Sequence, residues 1–257
     1  YTTLFRSEEA SNRGKTEYGY NAFNQQTTTF MNNGQIQENW YDAEFLRAEV
    51  SENGCSSRFL YYNGELLAES ELNDTVRNRY ILGYGVAASW QKEGYHSYHL
   101  DEQNSTAYIT DSDQRVENSY QYDAFGVIKS KTESIYNRIL YTGQQFDSIT
   151  RQYYLRARYY NSAIGRFVQE DLYRGDGLNL YAYCANNPVI YYDPMGEAGR
   201  RQTYLGGTPK IGSRVGKQVL QDAYDNGTLR ISGLSPKMQS MIENQGFMNI
   251  KITKSMT

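Results

Sequence analysis

Three segments of this chain repeat one pattern at a fixed spacing. YNAFNQQ starts at Tyr20, YDAEFLR at Tyr41 and YNGELLA at Tyr62, each 21 residues after the last, and a fourth, YDAFGVI, begins at Tyr122. A period near 20 residues leaves room for about one hairpin per repeat. A single hairpin cannot bury its own apolar face, so each must stack on the next. The turn chemistry agrees. Asn33-Gly34 in MNNGQIQ and Asn63-Gly64 in YYNGELLAE are strong signals for two-residue hairpin turns. The repeat predicts a Tyr that packs on its neighbour's equivalent and an Asn or Asp that closes a turn by bonding its own backbone. With 26 Tyr and 22 Gly in 257 residues, the composition suits strands joined by tight turns. The expected fold class is mainly β: antiparallel hairpins, followed by a small α+β C-terminal segment.

The sequence offers little to several chemistries. The two cysteines, Cys55 and Cys184, stand far apart and read as free thiols rather than a disulfide framework. The two histidines, His96 and His99, face opposite sides of a strand, which is wrong for a shared metal. No cofactor or metal site is read. No apolar run approaches a membrane span, and no signal-type segment is visible. The opening YTTLFRS resembles a sequencing-adapter read-through, so residues 1–7 are expected to be non-native and the true chain to extend further N-terminally.

The Tyr-Asp repeats resemble the YD repeats of Rhs proteins. YHLDEQNSTAYITDSDQRVENSYQYDAFG, from Tyr98, resembles the strand pair ahead of that family's terminal core. LYTGQQFDSITRQYYLRARYYNSAIGRFVQED and GLNLYAYCANNPVIYYDPMG are similar to the Rhs-associated core almost word for word. His99 falls in the family's YH-x-D pattern. Asn104 stands where the family usually has Gly, and Asn tolerates the same backbone. The resemblance covers residues 18–196. It implies YD repeats over 8–130 and an associated core over 131–197, forming the end of a β-cocoon shell that encloses a polymorphic toxin.

NNPVIYYDPMGEAGRR, from Asn186, marks the end of that pattern. Pro188 is followed by Asp193, Pro194 and Gly196, which reads as a strand over 189–192 and then a turn. Asp193 caps the turn, Pro194 fixes φ and Gly196 permits positive φ. In the Rhs family this motif closes the shell, and in many members an aspartyl self-protease cuts just after it. Such chemistry needs two carboxylates, one protonated and one not. The candidates are Asp193 and Asp171, with Glu170 as a substitute and Arg158 or Arg166 holding the charge balance. Each also has a structural reading, as turn cap, loop cap or ion-pair residue. Cleavage is expected after Glu197, with Gly196 and Glu197 as the residues of the cleavage site. Glu197 replaces the family's usual Leu and Asn161 replaces a common Asp, and both departures weigh against it.

The remaining residues, 198–257, read as a variable toxin segment that is expected to be incomplete. A basic linker runs over 198–210. Ser213 caps a helix with Val215, Val219, Leu220 and Ala223 on one side. Ser235, Pro236 and Gly246 frame a second, with Met238, Met241 and Ile242 inward. FMNIKIT then alternates as a strand. This tail holds nine Lys and Arg against three Asp and Glu, a net of +6, leaving −9 for the first 197 residues out of the whole chain's −3. A basic cargo beside an acidic shell suggests a nucleic-acid substrate. GTPKIGSRVGKQVL resembles the lead-in of HNH-related nuclease toxins, yet the tail has no His, and Asp222, Asp225 and Glu243 are its only acids. The expected role is exported intercellular competition, with the chain's own toxin segment and a cognate immunity protein as partners. The rival reading is a cell-surface YD-repeat protein that binds carbohydrate or another cell.

Overall fold

A computed structural model of the chain describes residues 5–11, 14–171, 179–197 and 200–201. The chain divides into two units, Tyr1–Gln202 and Thr203–Thr257, and every described residue falls in the first. The helices expected after Ser213 and Ser235, the strand FMNIKIT, and the acids Asp222, Asp225 and Glu243 lie outside the described residues.

Thirteen strands form one antiparallel sheet in strict chain order. They are β1 (Phe5–Ser11), β2 (Gly14–Tyr20), β3 (Gln26–Met31), β4 (Ile36–Tyr41), β5 (Arg47–Glu52), β6 (Cys55–Tyr62) and β7 (Glu65–Ser70). After them come β8 (Val76–Leu82), β9 (Val86–Gln91), β10 (Gly94–Leu100), β11 (Thr106–Thr110), β12 (Val116–Tyr122) and β13 (Ile128–Glu133). A second sheet holds β14 (Gln145–Asp147), β15 (Gln152–Tyr154), β16 (Tyr159–Asn161) and β17 (Arg166–Phe167). A short pair joins β18 (Tyr191–Tyr192) to β19 (Arg200–Arg201). Thus two residues of the expected linker are paired.

The Tyr-Asx repeat is a five-residue loop. Asn21, Asp42, Asp101, Asp111 and Asp123 each follow the last residue of a strand, and each Oδ1 accepts from the backbone N–H groups two and four residues on. The fourth residue of each loop has positive φ: Asn24, Phe45, Asn104, Gln114 and Gly126. A β-bulge precedes the loop in each case, which bends the strand end and adds twist. The expected role of the acid is therefore met, and Asn104 adopts the left-handed backbone that the family's Gly would supply.

Three sequence expectations need correction, while the two-residue turn expected at Asn63-Gly64 is present. YNGELLA is not a copy of the loop: Asn63 and Gly64 both have positive φ and make a two-residue turn between Tyr62 and Glu65, which leaves Tyr62 exposed. Asn53-Gly54 makes the same turn, whereas Asn33 does not, because Asn33 Oδ1 takes the Gln35 N–H and the loop widens to five residues, 31–35. The repeated tyrosines also do not stack on one another. Tyr20 donates to the Val168 carbonyl, Tyr41 lies 6.5 Å from the Tyr154 ring, and Tyr122 lies 5.8 Å from Tyr141. They pack on the segment that follows the sheet.

That segment lies along the inner face. Residues of β2–β3 (Thr16, Tyr18, Met31) and of β13 (Ile128–Lys131) line one groove together, so the sheet curls until its two ends face each other. Inside, an aromatic cluster of Tyr141, Tyr153, Tyr160, Phe167 and Tyr183 is fully buried. Beside it runs a buried ionic network. Arg47, with no exposed surface, pairs with Asp147, and its guanidinium sits 4.5 Å from the Tyr154 ring. Arg138 bonds the other Asp147 oxygen at 2.8 Å and Glu52 at 2.7 Å. Tyr136 donates to Glu69 at 2.7 Å. His96 points inward, 2.6 Å from Glu117, while His99 faces out towards Thr110. Cys55 is exposed and Cys184 buried, and both are free.

Candidate functional site at the closing turn

The closing motif folds back onto β16 and the residues just before it. The strand expected over 189–192 is reduced to Tyr191–Tyr192, because Pro188 has no N–H and the Asn187 carbonyl takes both the Ile190 and the Tyr191 N–H. Asp193 then makes the sharp turn. Its Oδ1 accepts from Met195 at 3.1 Å, Gly196 at 2.8 Å and Glu197 at 3.3 Å. Gly196 has φ +70°, and a Cβ there would stand 2.6 Å from the Leu155 oxygen and 2.9 Å from the Arg158 nitrogen. Both are backbone atoms, so only glycine fits. The Met195 carbonyl accepts from Ala157 N–H at 3.1 Å, which seats the turn on residues 155–158.

Arg158 is the hub. Its Nε donates to the Gly196 carbonyl and its Nη1 to Leu180 at 3.1 Å. Its Nη2 stands 2.8 Å from Asp171 Oδ2 and 3.7 Å from Asp193 Oδ2. The guanidinium carbon lies 3.7 Å from the centre of the Phe167 ring, which fixes the plane of the fork. Two carboxylates thus share one nitrogen of one buried cation.

Burial sets the electrostatics of Asp193. Asp193 is almost fully buried, and burial pushes its carboxyl from 3.8 up to about 6, against the pull of the Met195 N–H, of Arg158 and of the other two amides. Oδ2 of Asp193 is buried without a hydrogen-bond partner, so a proton has a defined place to sit. Burial also lowers the Arg158 pKa, with Asp171 and then Asp193 opposing it. Cys184 is close by, where burial first and the Asp193 charge second push its thiol up, so it stays a thiol. A carboxyl raised by burial, beside a second one on the same cation, is an arrangement that general acid–base chemistry uses.

The structure therefore brings Asp171, Asp193, Arg158 and Gly196 together. Glu197 is exposed, and its N–H is held by Asp193. Arg166 is exposed on β17, because alternation along that strand sends Phe167 inward, and it does not join the cluster. Glu170 presents its carbonyl, not its carboxylate, to Asn24 at 3.2 Å. Pro188 offers its carbonyl to Gln103 at 3.1 Å, and Pro194 offers its own to Gln144 at 3.3 Å. Asn161 closes its own turn by taking the Ala163 N–H. Sequence reasoning missed Phe167, Cys184 and Arg156, which also bonds the Pro194 carbonyl. Only the arginine pair in LRARYY hinted at the last.

No family model matches the chain. The chain is 36% identical over 169 residues to the tRNA3(Ser)-specific nuclease WapA of Bacillus spizizenii, which covers 61% of this chain and 7% of that protein. It is 44% identical over 59 residues to the toxin protein Tse5 of Pseudomonas aeruginosa, covering 23% of this chain and 4% of Tse5. Among solved structures, TcdB2-TccC3-Cdc42 superposes with a TM-score of 0.59 at 20% identity, over 71% of this chain and 10% of that one. The chain is similar to Rhs-type toxins. It spans under a tenth of the length of the WapA and Tse5 relatives. The shared fold is the long curled antiparallel sheet, and the closing turn is seated inside it.

Proposed function

We propose that this chain is the C-terminal end of a toxin-enclosing shell that cuts itself after Glu197 and so separates the shell from the toxin segment behind it. The observation that supports the reading is the single Arg158 nitrogen that stands 2.8 Å from Asp171 and 3.7 Å from Asp193 at the closing turn. In this scheme Asp171 takes a proton from water. The water oxygen bonds to the Glu197 carbonyl carbon. Asp193 gives its proton to the departing Ala198 nitrogen as the carbon–nitrogen bond breaks. Water supplies the atoms, and no oxidant or metal takes part in the balance. Among the described residues, no group of three His, Cys, Asp or Glu side chains could hold a metal.

The cargo reading follows from the relatives' activities, tRNA cleavage for WapA and toxicity for Tse5, together with the +6 charge of residues 198–257. We assign the cargo a nucleic-acid target, a cognate immunity protein and release outside the producing cell. No helix among the described residues is long and apolar enough to cross a membrane. The test is the intact mass of the full-length gene product, alone and as Asp193→Asn and Asp171→Asn. The expected result is two fragments meeting at Glu197 and Ala198 in the wild type, and one species in each variant. A single uncut wild-type species, or a break at Asp193-Pro194, overturns the cleavage reading.

A further inference from the structure

Arg156 lies outside the pair of acids, yet its contacts are all made to fixed points. Its backbone sits at φ +64°, a conformation a non-glycine residue keeps only where the surroundings hold it. Each guanidinium nitrogen has its own acceptor. Nε donates to the Gly64 carbonyl at 2.7 Å, Nη2 meets Glu65 Oε1 at 2.9 Å, and Nη1 donates to the Pro194 carbonyl. Gly64 and Glu65 belong to the β6–β7 hairpin, whose two-residue turn, with both residues left-handed, matches the twist of its strands. Pro194 is the second residue of the closing turn. Its carbonyl shares a peptide plane with the Met195 N–H that Asp193 Oδ1 accepts.

We infer that Arg156 is a positioning residue that ties the closing turn to the β6–β7 hairpin, so that a hairpin of the repeat sheet sets the geometry of Asp193. The planar fork suits the task, because a guanidinium can bridge three acceptors in fixed directions and an ammonium cannot. The consequence for cleavage rests on the self-cleavage reading above: a chain whose repeat sheet has not yet folded lacks the anchor for the turn and does not cut itself. Cutting thereby waits for the shell.

The experiment uses the full-length chain as wild type, Arg156→Ala, Arg156→Lys and Glu65→Ala, with two readouts. Hydrogen exchange at the amides of residues 195–197 reads the clamp whether or not the chain is cut. The rate of appearance of the fragments reads its consequence. In Arg156→Ala, exchange at 195–197 is expected to rise about tenfold or more while β5–β9 stays protected. Cleavage is expected to slow on the order of a hundredfold, as for a misplaced reacting group. Arg156→Lys behaves like Arg156→Ala, and added ethylguanidinium restores both readouts in Arg156→Ala. Glu65→Ala, which loses only a largely exposed partner, stays near wild type. Unchanged exchange at 195–197, a rise spread equally over β5–β9, or full rescue by Lys each overturns the clamp. A wild-type chain that stays uncut, with exchange still rising in Arg156→Ala, removes the cleavage reading and leaves the clamp.

Discussion

Replacing Asp193 by Asn tests the electrostatics of the closing turn directly. Asn keeps an Oδ1 that can accept the three amide N–H groups, and it removes only the ionisation. In the folded chain the Asp193 carboxyl titrates near 6, against 3.8 for an ordinary one. That difference corresponds to roughly 3 kcal/mol in favour of the protonated form. The sign is fixed by proton binding. Between about pH 4 and 6 the folded chain holds the Asp193 proton and the unfolded chain has lost it, so the free energy of unfolding falls as pH rises. The fall is complete once the pH passes the folded value. In Asp193→Asn this contribution is absent. Urea unfolding across about pH 4 to 7 gives the stability of each protein, and the wild-type minus variant difference is taken at each pH. Comparing each protein with itself across pH removes any constant offset between cut and uncut chains. The difference should shrink by about 2–3 kcal/mol from the acid to the neutral end. A flat difference, or one that grows with pH, would show Asp193 to be an ordinary ion-pair partner of Arg158 and would refute the acid role.

Other substitutions probe the frame that holds the site. Arg47→Met leaves Asp147 buried beside a lost partner and should destabilise the chain by about 3–5 kcal/mol in urea unfolding. Gly196→Ala drives a Cβ into two backbone atoms at a positive φ, so the cut species should disappear from the mass spectrum while the repeat sheet keeps its circular dichroism. Asp101→Ala removes the acceptor for two loop amides and should lower stability by about 1–2 kcal/mol, with Asp101→Asn close to neutral. Tyr62→Ser should change stability by no more than about 0.5 kcal/mol, and Tyr41→Phe, which loses a buried hydroxyl contact to the Gln26 carbonyl, by about 1 kcal/mol.

The hairpin meander was legible because its loops are local. A carboxylate that bonds the second and fourth amides after it leaves a mark in sequence, Tyr-Asx followed by a left-handed residue, and the marks at Asn21, Asp42 and Asp123 were read as such. The Asn63-Gly64 turn was legible for the same reason, and only the likeness of its letters YN to the loop pattern made Tyr62 read as one more copy. What the tyrosines pack against was not legible, since Tyr41 meets Tyr154 and Tyr122 meets Tyr141 across a curl that no local pattern encodes. The site divides in the same way. Asp193 and Gly196 could be read because the turn they make is four residues long. Asp171 and Arg158 came from resemblance, not from spacing, and Arg166 was drawn in by the same resemblance although strand alternation turns it outward.

The buried network explains why the sequence hid so much. The inner face of the sheet carries Gln26, Gln37, Arg47, Glu69 and Asn78, all with no exposed surface, where an apolar face would be the simple expectation. Charges at such positions are tolerated only when their partners arrive, and the partners come from the segment after the sheet: Gln152 for Gln26, Asp147 for Gln37 and Arg47, Tyr136 for Glu69. A sheet with an apolar inner face would accept any greasy segment. This one leaves charges unpaired unless residues 136–152 dock in one register, and the register of that segment is what brings residues 155–158 under the closing turn. Polar residues that look like surface in the sequence are thus the ones that choose where Arg156 and Arg158 stand. The Arg47→Met variant reads this choice as well as stability. If the network selects the register, hydrogen exchange in residues 145–161 should rise more than in β8–β12, and a uniform rise would show the pair to be ordinary packing.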